Sequence, residues 1–182
     1  MKLDTPVKRI AFDAILLAVL CALGCLSIPL GENIKASLQL LVIFIIGLLN
    51  PYLGDSLIIS FAYLLIGLFL PIYAGFNAGI TPTFGYVIGF VVCLPAMKLI
   101  GMAKRMPEIV NMVLQCLVAL IIVYAIGTFF MYFYLSSKGS SYTLVKILMI
   151  SVVPYIPFDL AKIAIAVIVT KILKKALGIQ RK

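Results

Sequence analysis

Histidine is absent from this sequence, which removes the commonest metal ligand at once. The four cysteines, Cys21, Cys25, Cys93 and Cys116, lie inside apolar runs with no CxxC or Cys/His spacing. Each reads as a small hydrophobe, so neither a metal nor another cofactor is expected. There is no GxxxxGKS/T phosphate loop, no HExxH and no GxSxG, so ATP hydrolysis by the usual device and familiar hydrolase chemistry are excluded. No catalytic residue is nominated, and any energy source has to come from other subunits.

Charge is scarce too. Only 12% of the residues are charged while 64% are apolar, and the mean hydropathy of +1.23 leaves too little polar surface to coat a soluble domain of 182 residues. A helix needs about 20 apolar residues to cross roughly 30 Å of hydrocarbon, so the chain supplies five or six spans and hardly any soluble domain. The expected architecture is all-α, with six transmembrane helices forming one transmembrane substrate-binding domain over residues 1–182. The net charge of +9 is read as topology-setting and as contact with the lipid bilayer, not as a nucleic-acid surface.

The first span covers about residues 7–27. Its apolar run begins only after Lys8 and Arg9 and further spans follow, so it reads as a retained helix rather than a cleaved signal peptide. It ends at Ile28-Pro29-Leu30-Gly31. Ala14, Ala18 and Ala22 recur every fourth residue along it and make a smooth stripe, suited to internal packing or to a docking partner helix. The second apolar run, 34–49, is short for a span and reads as a short or broken helix ending at Asn50-Pro51. The third, 53–70, stops at Pro71. The uncharged stretch from Ile72 to Thr83 is too apolar to be merely solvated, and is expected to fold over something buried. The fourth span, 84–99, contains Pro95, the fifth, 109–135, is the longest, and the last begins near Tyr142 and breaks at Pro154-Tyr155-Ile156-Pro157.

Basic residues fall unevenly about these spans. Lys2, Lys8, Arg9, Lys98, Lys104, Arg105, Lys171, Lys174, Lys175, Arg181 and Lys182 share one side, against Lys35, Lys138 and Lys146 on the other. Both termini are therefore expected in the cytoplasm, with the chain a multi-pass protein of the cell membrane.

Of the acidic residues, Asp4, Glu32 and Glu108 fall in or beside loops, and Asp13 and Asp55 are expected to reach the interface. Asp159 differs, because it opens the last helical segment with Lys162 three residues on, sharing its face. An ionisable pair within a span usually faces a cavity. A structural ion pair capping the restarted helix is one reading; a ligand site is the other, with the ammonium meeting an anionic group and the carboxylate accepting N–H donors. Such a site suits a small molecule with a carboxylate or a urea-like group.

Several ordered motifs resemble the BioY family, the biotin-binding S components of energy-coupling-factor (ECF) vitamin transporters. Ile28-Pro29-Leu30 with Ser37-Leu38-Gln39, then Asn50-Pro51-Tyr52-Leu53-Gly54, Tyr63-Leu64-Leu65-Ile66-Gly67 and Leu70-Pro71-Ile72-Tyr73-Ala74-Gly75, are similar to its early patterns. Thr81-Pro82-Thr83-Phe84-Gly85-Tyr86 and Pro157-Phe158-Asp159-Leu160-Ala161-Lys162 echo its later ones.

The resemblance implies the six-helix S-component fold, a biotin site open to the outside, and docking on a transmembrane coupling subunit driven by two ATPase subunits. It also implies that the Ala14, Ala18 and Ala22 stripe is the docking face, and that Asp159 and Lys162 hold the ligand's polar ends. Gln39, Asn77, Thr83 and Tyr86 are the supporting pocket candidates, and Tyr73, Phe76 and Phe84 the apolar walls. Thr81, Phe84 and Phe158 stand where the family pattern has glycines, which narrows or reshapes the pocket. Lipoate or another small carboxylate is the alternative ligand. A membrane scaffold with a structural Asp159/Lys162 pair, or a membrane-embedded enzyme, are the alternatives of another class.

Overall fold

Proline and apolar length decide where the helices start and stop. In the computed structural model, residues 5–29, 35–103, 106–139 and 141–178 are described. Lys2, Asp4, Leu30, Gly31, Glu32, Lys104, Arg105, Arg181 and Lys182 lie outside the described residues, as do the side chains of Ile28, Pro29, Lys35 and Ala36.

Helix α1 (Pro6–Cys25) starts on a proline, whose missing N–H costs nothing in a first turn. Strands β1 (Ser27–Pro29) and β2 (Lys35–Ser37) then pair antiparallel. This small hairpin takes up the residues expected to begin the second span, and α2 (Gln39–Leu49) is left with 11 residues, roughly 16 Å. Nine of its residues are buried, among them Ile43, Phe44 and Ile46. A helix that is apolar all round needs protein on every side, and α2 runs against α1, α3, α4, α5 and α7.

Helix α3 (Leu53–Phe69) follows Pro51 and ends before Pro71. Helix α4 (Phe84–Gly101) passes through Pro95 without ending, and α5 (Glu108–Ser137) is the longest at 30 residues. The final stretch is α6 (Leu144–Ser151), a 3-10 turn (Val153–Tyr155) and α7 (Ile156–Leu177), so the expected break falls at Pro154 and Pro157. Among the described residues, α4, α5 and the stretch Leu144–Leu177 meet both the length and the apolarity of a span. Helix α1 is long enough at 20 residues but carries Lys8, Arg9 and Asp13, while α2 and α3 are shorter apolar helices. Ile121, Phe129 and Phe133 on α5 and Ile168 and Ile172 on α7 are exposed, as lipid-facing side chains should be.

Helices α4 and α5 lie close because glycine lets them. A Cβ on Gly89 would sit 3.0 Å from Val123 Cα, and Gly85 and Gly127 seat Phe130 and Tyr86. Small residues of this kind drive close helix approach in lipid.

Helix direction alternates, which sorts the polar groups to two ends. At one end, Arg9 pairs with Asp55 at 2.7 Å and lies over the Tyr52 ring. There too Asn50 donates to Asp13, Lys98 donates to the Asn50 carbonyl, and Lys174 approaches Glu108 at 4.0 Å. Asp55 thus has a cation partner and is buried, in the first turn of α3 at this end. The opposite end gathers the hairpin, the 70–83 loop, and the start of α7.

Candidate functional site

A cavity of about 530 Å³ opens at that second end, lined from the hairpin, the 70–83 loop and helices α2, α4, α5, α6 and α7. Its buried charged group is built by the start of α7. Pro157 fixes the first turn, Asp159 follows within it, and Lys162 returns one turn later on the same face. Lys162 Nζ donates to Asp159 Oδ1 at 2.6 Å, with side-chain exposures of 10% and 6%. The helix N-terminus also favours the negative charge of Asp159.

Tyr124, from the middle of α5, donates its hydroxyl to the other carboxylate oxygen, Oδ2, at 2.6 Å. Both oxygens of Asp159 are therefore engaged, one by an ammonium and one by a phenol. Each oxygen keeps a further lone pair and Lys162 keeps further N–H groups. The cluster offers donors and acceptors side by side while its formal charges cancel.

The roof is held by backbone and ring contacts. Gly75 has φ 73 and Phe76 φ 59, a left-handed turn that glycine accepts freely and phenylalanine rarely does. Gly75 N–H donates to the Cys25 carbonyl at 3.1 Å, and Tyr73 and Asn77 exchange backbone hydrogen bonds of 3.0 and 3.3 Å. Tyr73 is buried edge-on to Tyr63 and beside Phe84, with its hydroxyl donating to the Leu64 carbonyl at 2.6 Å. Burial pushes the Tyr73 phenol up to about 12, so that donor stays protonated. Gln39 is fixed by Tyr63 at 2.5 Å and by Ser37 at 3.3 Å, and Tyr63 in turn donates to the Ile72 carbonyl at 2.8 Å.

The cavity brings together eight of the nine residues nominated for the pocket: Asp159, Lys162, Gln39, Asn77, Thr83, Tyr86, Tyr73 and Phe84 all line it. Phe76 does not. It is 66% exposed, because the left-handed turn at Gly75 and Phe76 carries its ring away from the cavity. Ala14, Ala18 and Ala22 are all exposed, and the packed face of α1 is instead Phe12, Leu16, Leu20 and Gly24. Among the described residues the stripe lies outside the packed face of α1, with Ala14 edging a groove against α3. Tyr124 was not nominated. Its signal is a phenol in mid-span, far from either interface, which needs a buried partner.

Comparison with known proteins adds a second line. A family model described as the BioY family matches residues 1–179. The chain belongs to the BioY family. A Thermotoga maritima protein named biotin transporter BioY is 29% identical over 154 residues, covering 82% of this chain and 86% of that protein. A Pyrococcus horikoshii protein named probable biotin transporter BioY is 27% identical over 169 residues, covering 90% and 94%. A crystal structure described as the S-component for biotin from an ECF-type ABC transporter aligns with a TM-score of 0.75 at 26% identity, over 96% of this chain and 95% of that one. This BioY chain thus has the S-component fold and is a membrane protein.

Proposed function

We propose that this chain is the substrate-specific S component of an ECF-type transporter, a single transmembrane domain that binds biotin outside the cell. It delivers the vitamin through a transmembrane coupling subunit driven by two ATPase subunits, and acts by binding and transport rather than catalysis. The observation that carries the reading is the Asp159–Lys162–Tyr124 cluster facing a cavity of about 530 Å³, within the roughly 300–1,000 Å³ of small-molecule sites.

A charge-balanced pair in a dry site favours a neutral ligand group that both donates and accepts over a net anion, which would remain uncompensated there. The urea ring of biotin fits that requirement: its N–H groups meet Asp159 and its carbonyl meets Lys162. Gln39, Asn77, Thr83 and Tyr86 supply polar contacts along the rest of the ligand, and Tyr73 and Phe84 supply walls. Lipoate brings no N–H to Asp159, which favours biotin over it.

The basic groups Arg9, Lys98, Lys171, Lys174 and Lys175 lie at the end away from the cavity, which supports cytoplasmic termini in the cell membrane and an external cavity mouth. The exposed Ala14, Ala18 and Ala22 face supports docking of the coupling subunit on α1. Equilibrium binding on the purified chain tests the ligand: saturable biotin binding, lost in Lys162→Ala, is expected. No saturable signal, or one untouched by the substitution, overturns the reading. For orientation, Lys175→Cys should react with an impermeant thiol reagent only after cells are opened, and Ser137→Cys should react on intact cells. The reverse pattern would place the cavity inside.

A further inference from the structure

Tyr63 stands behind the cavity wall, fully buried on α3, yet it grips a residue that is part of the wall. Its hydroxyl lies between two groups, the side-chain nitrogen of Gln39 at 2.5 Å and the carbonyl oxygen of Ile72 at 2.8 Å. A phenol owns one proton to give and lone pairs to accept with. A backbone carbonyl can only accept, so the proton goes to Ile72. Tyr63 is then left to meet Gln39 as an acceptor.

The two ends of a glutamine amide are told apart by such partners. Gln39 must turn its NH2 inward to Tyr63, which turns its carbonyl oxygen the other way, where the Ser37 hydroxyl donates to it at 3.3 Å. Turning the amide over would set oxygen against oxygen or strip Ile72 of its donor, and Gln39 is only 6% exposed. Ser37 and Gln39 both line the cavity, so the carbonyl oxygen is the end that a ligand meets, with a further lone pair to offer.

We propose that Tyr63 is a positioning residue for ligand binding: it holds the Gln39 amide with its carbonyl toward the cavity, so that this point of the wall selects for donors. This rests on the biotin reading above and deepens it. Whatever meets Gln39 must bring an N–H, directly or through a water. An ionised carboxylate only accepts, so the acid end of the ligand is kept away from Gln39. Two acceptors facing each other in a buried site leave both unpaired, a mismatch that polar sites reject strongly.

The test is a double-mutant cycle on the full chain in detergent, with biotin affinity read at equilibrium. Gln39→Met removes the amide at similar volume, and Tyr63→Phe removes only the hydroxyl. Each single variant should raise the Kd about 3- to 10-fold, the loss of one neutral hydrogen bond. Because Tyr63 acts through Gln39, the double variant should match Gln39→Met within twofold. A purely structural hydroxyl would weaken binding by the same factor whatever stands at position 39, so additive losses overturn the inference. So does a Tyr63→Phe variant that binds within twofold of the parent. Gln39→Glu reads the same proton without touching Tyr63, since it sets a carboxylate against the phenol's lone pairs. It should bind biotin more weakly than Gln39→Met; tighter binding would show that Tyr63 donates to position 39 and overturns the inference. No saturable biotin binding by the parent chain overturns the biotin reading and this inference with it.

Discussion

Replacing Lys162 by methionine strips the cation from Asp159 while keeping most of the side-chain volume. The stranded carboxylate is 6% exposed and keeps one partner, the Tyr124 hydroxyl at 2.6 Å. Breaking a buried pair costs about 3–5 kcal/mol, and the surviving phenol places this variant near the lower figure, about 3 kcal/mol. The variant also loses a charge-assisted hydrogen bond to the ligand, about 1.5–3 kcal/mol, which raises the biotin Kd roughly 10- to 150-fold. Stability and binding are entangled in that single change. The double variant Asp159→Asn, Lys162→Met separates them, because no uncompensated charge remains and the removed pair costs close to nothing. Its thermal midpoint, measured without ligand in detergent, should return to near the parent value. Its biotin affinity, measured at equilibrium, should stay at least about 100-fold down, since the ammonium donor is gone and the acceptor at 159 is no longer charge-assisted. A double variant that recovers its midpoint and binds biotin within fivefold of the parent would refute the reasoning and make the pair a structural clamp.

Tyr124→Phe removes only the phenol oxygen, so biotin should bind about 5- to 10-fold more weakly with the melting curve little changed, and an unaltered Kd would remove Tyr124 from the site. In Gly24→Ala the new methyl would lie 2.6 Å from Tyr63 Oη, displacing the hydroxyl that holds Gln39 and the Ile72 carbonyl. Overpacking of this kind costs about 1–3 kcal/mol, and adding Tyr63→Phe should restore part of the lost midpoint; no loss in the single variant would refute the contact. Ala18→Leu changes an exposed site, so biotin binding by the isolated chain should hold within twofold while uptake in cells carrying the coupling module falls at least about tenfold. Full uptake would discard the alanine face as a docking surface.

The helix pattern was legible because apolar run length and proline position are local properties: Pro51, Pro71 and the Pro154/Pro157 break all bound elements in the structure. The Asp159/Lys162 pair was legible because two opposite charges three residues apart stand out in a span. The hairpin was not, since pairing Lys35–Ser37 with Ser27–Pro29 is a non-local contact that three-residue segments do not advertise. Tyr124 was missed for the same reason, its partner lying 35 residues away. Phe76 failed as a wall residue because direction depended on a backbone turn at φ 59, and hydrophobicity says nothing of direction. The Arg9–Asp55 pair was not legible either, because its two members are 46 residues apart.

The hydrogen bond from Gly75 to the Cys25 carbonyl fastens the last turn of α1 to the cavity roof at 3.1 Å. The same helix, 20 residues and roughly 30 Å long, turns Ala14, Ala18 and Ala22 outward. The face that would meet a partner and the contact that holds the cavity roof thus belong to one helix.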